Sequence, residues 1–476
     1  MRLMVVIGML ALVQPARAER VLTLDDALAL AKRNSRDLEQ ARARLEQSQA
    51  NVENAWVALL PQIAVQGKYT HNYKEIALDP RTLSASPTLQ SEAVGGLAAT
   101  IAGASSDPGL KAAVGSFSDQ LQQQVAIAQK GFDALKPIVI NPREQLDFVA
   151  SATVPLVVPW AYGQVVAARR NHDATRANTA VTEATVLLST AQAFFAAAGA
   201  DELVVARRHA VELSRQTTEN ARARFEAGTV NRVEVMRAEL ALVRAEQALA
   251  EGIDAAAQAY RGLATIIVLR EPFRVAPAEV AHVSDASPDE LSHGALHLRP
   301  EFSSLEKTIA ADDAQVASAK WRWAPTLSGF GNVHAFNYNG FSGDNYSWAV
   351  GVQLDWALYD GGARDAARHL AEGQMREAES RLAALRDSIT DDIYNLRQAL
   401  GTRRRALETA RRSVELSRET LELLRAQHDA GTATQLDLLQ GQDEVVAAEV
   451  SLAQARFDLA LAELNLQRSA GLFPPR

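Results

Sequence analysis

The chain has 476 residues, 47% of them hydrophobic but only 6% aromatic, and a formal net charge of −8. An apolar fraction made mostly of Ala, Leu and Val suits long, closely packed helices and not a thick mixed core, and the acidic balance argues against a nucleic-acid partner. Cysteine is absent, which excludes disulfides, a lipid-accepting cysteine and a thiolate metal site.

Arg2, an apolar run over residues 3–13 and Ala16-Arg17-Ala18 supply the three regions of a secretory signal peptide, residues 1–18, with cleavage expected before Glu19. Gln14 and Pro15 end the run too early for an anchor of about 20 apolar residues. Losing Arg2 and Arg17, and no acid, takes the charge from −8 to −10. An exported chain without disulfides must be held by packing or by oligomerisation. No later window approaches 18 uncharged apolar residues, so any membrane crossing is expected to be a β-barrel.

Thr23 is expected to cap a helix with Asp25 and Asp26 in its first turn. That helical pattern runs to Leu60 and stops at Pro61. Ile63, Val65, Gly67, Tyr69, His71 and Tyr73 then alternate with Gln62, Ala64, Gln66, Lys68, Thr70 and Asn72. This is period two over about ten residues, the length of a tilted membrane-spanning strand. Residues 74–144 turn to Gly, Ser, Pro and Ala, with one weak helical stretch near 110–135. A second strand follows, with Leu146, Phe148, Ala150, Ala152, Val154 and Leu156 on one face. After Trp160-Ala161-Tyr162-Gly163 a helical pattern runs unbroken to Phe225. A rod of roughly 90–95 Å needs a coiled-coil partner.

The order then recurs. Leu38, Val52, Ala55 and Pro61 correspond to Phe302, Val316, Ala319 and Pro325, 264 residues on; Ala227-Gly228-Thr229 corresponds to Ala430-Gly431-Thr432, 203 residues on. Two repeats of this length point to duplication within one domain and not to a solenoid. A helix capped near Ser287-Pro288-Asp289-Glu290 ends at Pro325, residues 327–338 form a less regular strand, and residues 341–345 a turn. The next strand sets Tyr346, Trp348, Val350, Val352, Leu354 and Trp356 against Ser347, Ala349, Gly351, Gln353 and Asp355. Lipid on one side and water on the other require this pattern. Leu358-Tyr359-Asp360-Gly361-Gly362 opens a helix in which Ala378, Leu382, Leu385, Ile389, Ile393, Leu396 and Leu400 make a packing stripe.

All six tryptophans (Trp56, Trp160, Trp321, Trp323, Trp348 and Trp356) lie in or beside the four strands, as residues of a membrane–water interface do. Four strands do not close a barrel, since about eight are needed. Three chains give twelve strands and a usable lumen, whereas two give a filled eight-stranded barrel. The expected fold is an α+β membrane protein: a homotrimer sharing a 12-stranded β-barrel, joined to a long α-helical coiled-coil barrel. Each chain carries repeats over 19–273 and 274–476. The insertion at about 74–144 in the first repeat is expected at the outer rim, where barrels carry their long loops.

In this order the features resemble the TolC-like outer-membrane efflux proteins (outer membrane factors). The local signatures are Leu24-Asp25-Asp26-Ala27-Leu28, Leu358-Tyr359-Asp360-Gly361-Gly362, the two Ala-Gly-Thr turns, and the closing Ala455-Arg456-Phe457-Asp458-Leu459, Asn465-Leu466 and Ala470-Gly471-Leu472. Coverage is nearly the whole mature chain. The resemblance implies a homotrimer in outer-membrane lipid with its helical tunnel in the periplasm, a passive exit duct for tripartite efflux or type I secretion. It also implies that residues 227–229 and 430–432 form tips that dock a periplasmic adaptor attached to an inner-membrane transporter.

Both glycines also suit helix C-caps, and Thr229 and Thr432 are expected to cap the returning helices. Glu234 and Asp437 each lie six residues past their glycine. The resemblance assigns them, with Gln440, to a pore constriction, where three copies of an acid repel one another and attract cations; a solvated acid in a first helical turn, favoured by the helix dipole, is the plainer alternative. Gln440 stands where the family pattern has a second Asp, and Ala433 where it has an Arg, so parts of the family's salt-bridge lock are missing. No catalytic residue, metal or cofactor is expected: the nine histidines show no metal spacing, and Gly361-Gly362 lacks the dinucleotide-binding order. The competing classes are an exported coiled-coil scaffold of the envelope without a pore, which leaves four two-faced strands unexplained, and a periplasmic adaptor, whose lipoyl-like segments are not seen.

Overall fold

The computed structural model describes residues 20–79, 85–277, 286–338 and 344–473; the expected signal peptide and most of the turn at 341–345 lie outside them. The chain forms two compact units, one holding most of the helical residues and the other, Asn54–Tyr162 with Lys320–Arg364, holding the large sheet.

In the helical unit, Thr23 opens α1 (Leu24–Asn34) with a capping box: its hydroxyl accepts from the Asp26 N–H and the Asp26 carboxylate accepts from the Thr23 N–H, both at 3.2 Å. Ser287 and Glu290 repeat this at the start of α7 (Pro288–Leu298), 264 residues on. The next helices keep the same offset, α2 (Arg36–Val57) and α8 (Pro300–Trp321). In sequence each pair reads as one continuous helix, to Leu60 and to Pro325. The backbone instead leaves helical values at Ser35 and Arg299. At Arg299 the cause is Pro300, whose ring disfavours a helical residue before it.

The long helices are α5 (Pro159–Glu226) and α9 (Ala363–Asp429), each followed by a shorter return, α6 (Arg232–Ile267) and α10 (Gln435–Ser469). With 68 and 67 residues, α5 and α9 are each roughly 100 Å long. Duplication is visible in what they bury. Ala27, Ala31, Leu38, Val186, Leu263 and Ile267 form one core, and their counterparts Leu291, Ala295, Phe302, Ile389, Leu466 and Ala470 form a second. The stripe read on α9 supplies Ile389, Ile393 and Leu400 to that core, with Leu382, Leu385 and Leu396 against it. Gly163 lets α5 touch α8: a Cβ there would lie 2.8 Å from the Ser318 Cα.

Two further features depart from what the sequence leads one to expect. A three-residue strand, β1 (Arg20–Leu22), pairs in parallel with β6 (Phe273–Val275) and buries Leu22 completely; neither is long enough to show a period. And α5 does contain an 18-residue window apolar enough to cross a membrane by length and composition, 44% of it buried. Leu187, Ala191, Phe194 and Phe195 of this helix lie in hydrophobic cores, which accounts for its apolar character.

In the other unit β2 (Gln62–His71), β5 (Glu144–Val157), β7 (Thr326–Phe336) and β8 (Tyr346–Asp355) form an antiparallel sheet in the order β2-β5-β7-β8. The registers Tyr69↔Leu146, Ala150↔Val333 and Val333↔Trp348 put the large apolar residues of all four strands on one face. Lys68, Asp147, Asn332, His334 and Gln353 share the other. Strand β7 alternates poorly in sequence because bulk is exchanged with its neighbour. Gly329, Gly331 and Ala335 lie on the apolar face opposite Val352, Val350 and Tyr346, while Phe330 lies on the polar face with its ring over Gly351.

Between β2 and β5 the chain makes β3 (Ile76–Leu78), α3 (Ala85–Ala104), α4 (Pro108–Asp133) and β4 (Ile138–Asn141). The strands β3 and β4 pair antiparallel. In sequence only the stretch near 110–135 reads as helix, because the Ala and Gly of α3 leave no apolar period to detect.

Candidate functional site

Two features present themselves as functional surfaces: the paired turns that end α5 and α9, and the two-faced sheet. Gly228 (φ 73°) and Gly431 (φ 77°) occupy the left-handed region that an L side chain enters only at a cost. Around the first, the Gly228 N–H donates to Phe225 O and the Thr229 N–H to Arg224 O, both at 2.9 Å; around the second, Gly431 donates to His428 O at 3.0 Å and Thr432 to Gln427 O at 2.8 Å. This is the Schellman pattern of a helix end.

The threonines are not where the sequence reading placed them. The Thr229 hydroxyl donates to Arg224 O at 2.9 Å and the Thr432 hydroxyl to Gln427 O at 3.0 Å, so both close the outgoing helix. The returning helices are capped by Asn231 and Thr434. Two further residues are needed to reverse the chain before the free N–H groups of α6 and α10 begin.

The turns lie side by side, and all six residues of the Ala-Gly-Thr triplets, Ala227 to Thr229 and Ala430 to Thr432, are exposed. Arg224 ties the two together, donating to Asp429 Oδ1 at 2.9 Å and to His428 Nε2 at 2.6 Å. His428 Nδ1 lies 3.2 Å from Ala433 O. A carbonyl only accepts, so Nδ1 carries the proton and Nε2 is free to accept from Arg224. This bridge was not read from the sequence; the one available signal was a basic residue just before one turn and His-Asp just before the other. Removing it with Arg224→Ala is expected to change stability by less than about 1 kcal/mol, since the Asp429 end is largely exposed. The same change is expected to widen the distance between spin labels at positions 227 and 430; an unchanged distance would show that the turns stay together without Arg224.

Glu234 and Asp437 occupy equivalent third positions of α6 and α10. The Asp437 carboxylate accepts from the Thr434 hydroxyl at 2.6 Å and the Thr434 N–H at 2.8 Å. The hydroxyl, then the N–H, hold it below the usual carboxylate range. Glu234 enters the cap through its backbone N–H, which donates to Asn231 Oδ1 at 3.1 Å. Gln440 is exposed one turn further on.

All six tryptophans fall within the sheet-bearing unit. Trp56, Trp160, Trp321, Trp323 and Trp356 cluster where strands join helices, and Trp348 lies toward the opposite end of β8. At the joint, Asp360 accepts from the N–H groups of Gly362 (3.2 Å) and Arg364 (3.1 Å) and from the Arg364 guanidinium (2.9 Å). That guanidinium lies 4.0 Å from the centre of the Trp323 ring, and Trp356 Nε1 donates to Trp323 O at 3.2 Å. The Leu-Tyr-Asp-Gly-Gly motif is thus a helix start: Asp360 caps α9, and Gly361 and Gly362 supply positive φ values of 71° and 88°.

Residues 143–267 and 291–472 match the sequence profile described as outer membrane efflux protein, and the chain belongs to that family. It is 26% identical over 310 residues to the outer membrane protein TolC of Vibrio cholerae, covering 61% of this chain and 69% of that protein. It is also 24% identical over 253 residues to the outer membrane efflux protein BepC of Brucella suis, covering 53% of this chain and 55% of that one. Among solved structures the Campylobacter jejuni CmeC outer membrane channel superposes with a TM-score of 0.70 at 15% identity, covering 94% of this chain and 85% of that one. A membrane protein from Pseudomonas aeruginosa gives 0.70 at 16% identity, over 94% and 93%. The protein is an efflux channel of the outer membrane with a TolC-like fold, and the pore-less scaffold is not favoured.

Proposed function

We propose that three copies of this chain close a single 12-stranded barrel and stand as a passive exit duct. One observation carries the reading. The sheet ends on two strands of ten residues, β2 and β8, that pair on one side only within the described chain, and its apolar face is exposed. Free edges of this length invite pairing, and in lipid every backbone polar group needs a partner, which only closure supplies. Joining β8 of one copy to β2 of the next satisfies both edges, with the apolar face toward lipid and the Lys68–His334 face toward the lumen.

On this reading 19–273 and 274–476 are duplicated halves, the tryptophans mark the membrane interfaces, and the 74–144 excursion leaves from the outer rim. The paired turns point into the periplasm and dock an adaptor bound to an inner-membrane transporter, for efflux or type I secretion. Glu234, Asp437 and Gln440 line a constriction near that tip. Asp437 is already held by Thr434, so Glu234 is the freer carboxylate. The protein acts by conduction and not as an enzyme.

The chain has no native cysteine, so the test is direct. One cysteine in β2 and one in β8 of the same chain, oxidised in outer membranes, should yield dimers and trimers for matched pairs only. A ladder that stops at dimers would sink the trimeric barrel.

A further inference from the structure

The water-facing side of an outer-membrane barrel is ordinarily polar, yet on β7 that side also carries Phe330 and Phe336. His334 shares that face, and the side chain of Tyr338 continues the row just past the strand. The rings of His334 and Phe336 are 5.0 Å apart and tilted by 56°; those of Phe336 and Tyr338 are 4.8 Å apart and tilted by 40°. His334, Phe336 and Tyr338 are all partly exposed, so the ladder presents ring surface to solvent. It ends at the edge of the sheet from which the 74–144 excursion departs, where Phe336 pairs with Asp147.

The surroundings fix what this surface favours. The Asp147 carboxylate lies 3.0 Å from His334 Nε2 and accepts from Gln145 Nε2 at 2.7 Å; it keeps the imidazole in place and leaves negative charge beside the rings. Across the sheet Lys68 stands opposite Asp147 beside the ladder, while Asp355 faces Thr326 at the far end of β8. Aromatic faces attract cations and stack with other rings whatever their detailed substitution.

We propose that this ladder is a cargo-contacting station for planar aromatic cations on the lumen side of the barrel. The proposal rests on the duct reading for the direction the face points, and it adds the solute class that the outer end of the duct holds. Binding there is weak and reversible, as passage requires.

The test uses the full-length protein in detergent, with ethidium as the probe read by fluorescence anisotropy and tetraethylammonium as a cation without rings. Wild type should bind ethidium and be indifferent to tetraethylammonium at equal concentration. Phe336→Leu and Tyr338→Leu keep apolar bulk and remove the ring, and each should weaken ethidium binding about five- to tenfold. Tyr338 lies outside the strand, so its variant keeps the test valid where Phe336→Leu loosens the sheet. Ethidium binding unchanged in both variants, or displaced equally by tetraethylammonium, overturns the station. Conductance in planar bilayers separates the two ideas. A conducting protein without ring-dependent binding refutes the station alone, and ring-dependent binding in a protein that never conducts refutes the duct alone.

Discussion

Val350→Arg is expected to keep the protein out of the outer membrane, whereas Ala349→Arg, one residue away, should insert normally. Both positions lie mid-strand in β8. Val350 is 75% exposed in the isolated chain and shares its face with Trp348 and Val352; Ala349 is on the face of Gln353. An arginine on the lipid face near the bilayer midplane costs about 2–4 kcal/mol. In a trimer the change occurs three times, about 6–12 kcal/mol if the sites act independently, comparable to the whole stability of an ordinary domain. On the water side the same guanidinium stays solvated. Fractionation of outer membranes, with trimer mobility on unheated gels, reads the difference. Equal behaviour of the two variants would falsify the assignment of faces.

Replacing both turn glycines with valine, Gly228→Val with Gly431→Val, should cut export by at least an order of magnitude while leaving insertion unchanged. Neither glycine has any atom within 4 Å of where a Cβ would sit, so steric clash is not the cause. The cost lies in the backbone: φ values of 73° and 77° place an L residue in the left-handed region at roughly 1–2 kcal/mol each. A β-branched side chain tolerates that region poorly. The turns relax, and with them the Arg224 bridge and the exposed triplets. Asparagine tolerates left-handed backbone, so Gly228→Asn with Gly431→Asn should keep most activity. Drug tolerance of cells carrying each pair gives the answer. Full tolerance with both valines in place would mean that the turn geometry does not matter for export.

What the sequence made legible follows from period and length. Strands β2, β5 and β8 alternate over ten or more residues, α5 carries an unbroken helical pattern over about 60, and α9 shows an apolar stripe from Ala378 to Leu400, so each stands out alone. The duplication was legible for the same reason, and the family resemblance it supported is the family to which the chain belongs. Short or mixed signals failed. The three-residue strands β1 and β6 have no period, α3 is too rich in Ala and Gly to show one, and the break at Ser35 has no proline to announce it. Thr229 and Thr432 were misassigned because a threonine after a glycine fits either end of a reversal, and only the backbone path decides. The Arg224 bridge joins residues some 200 apart in sequence, which no local pattern encodes.

The equivalence of the two turns has a limit with a consequence for any partner. Arg-Phe-Glu precedes the first Ala-Gly-Thr and Val-Asn follows it; Gln-His-Asp precedes the second and Ala-Thr follows it. Three chains would therefore offer six stations in two alternating dialects. A partner built from six identical subunits has one vocabulary, so half of its subunits meet each dialect. Such a partner is free to rely only on words common to both: the exposed triplet and the carbonyls left by the same helix ending. Any side chain it used to recognise Glu226 would face Asp429 at the next station, already bound to Arg224. A six-fold grip on these turns would therefore fall on the backbone they share, since the residues beside it differ between the two stations.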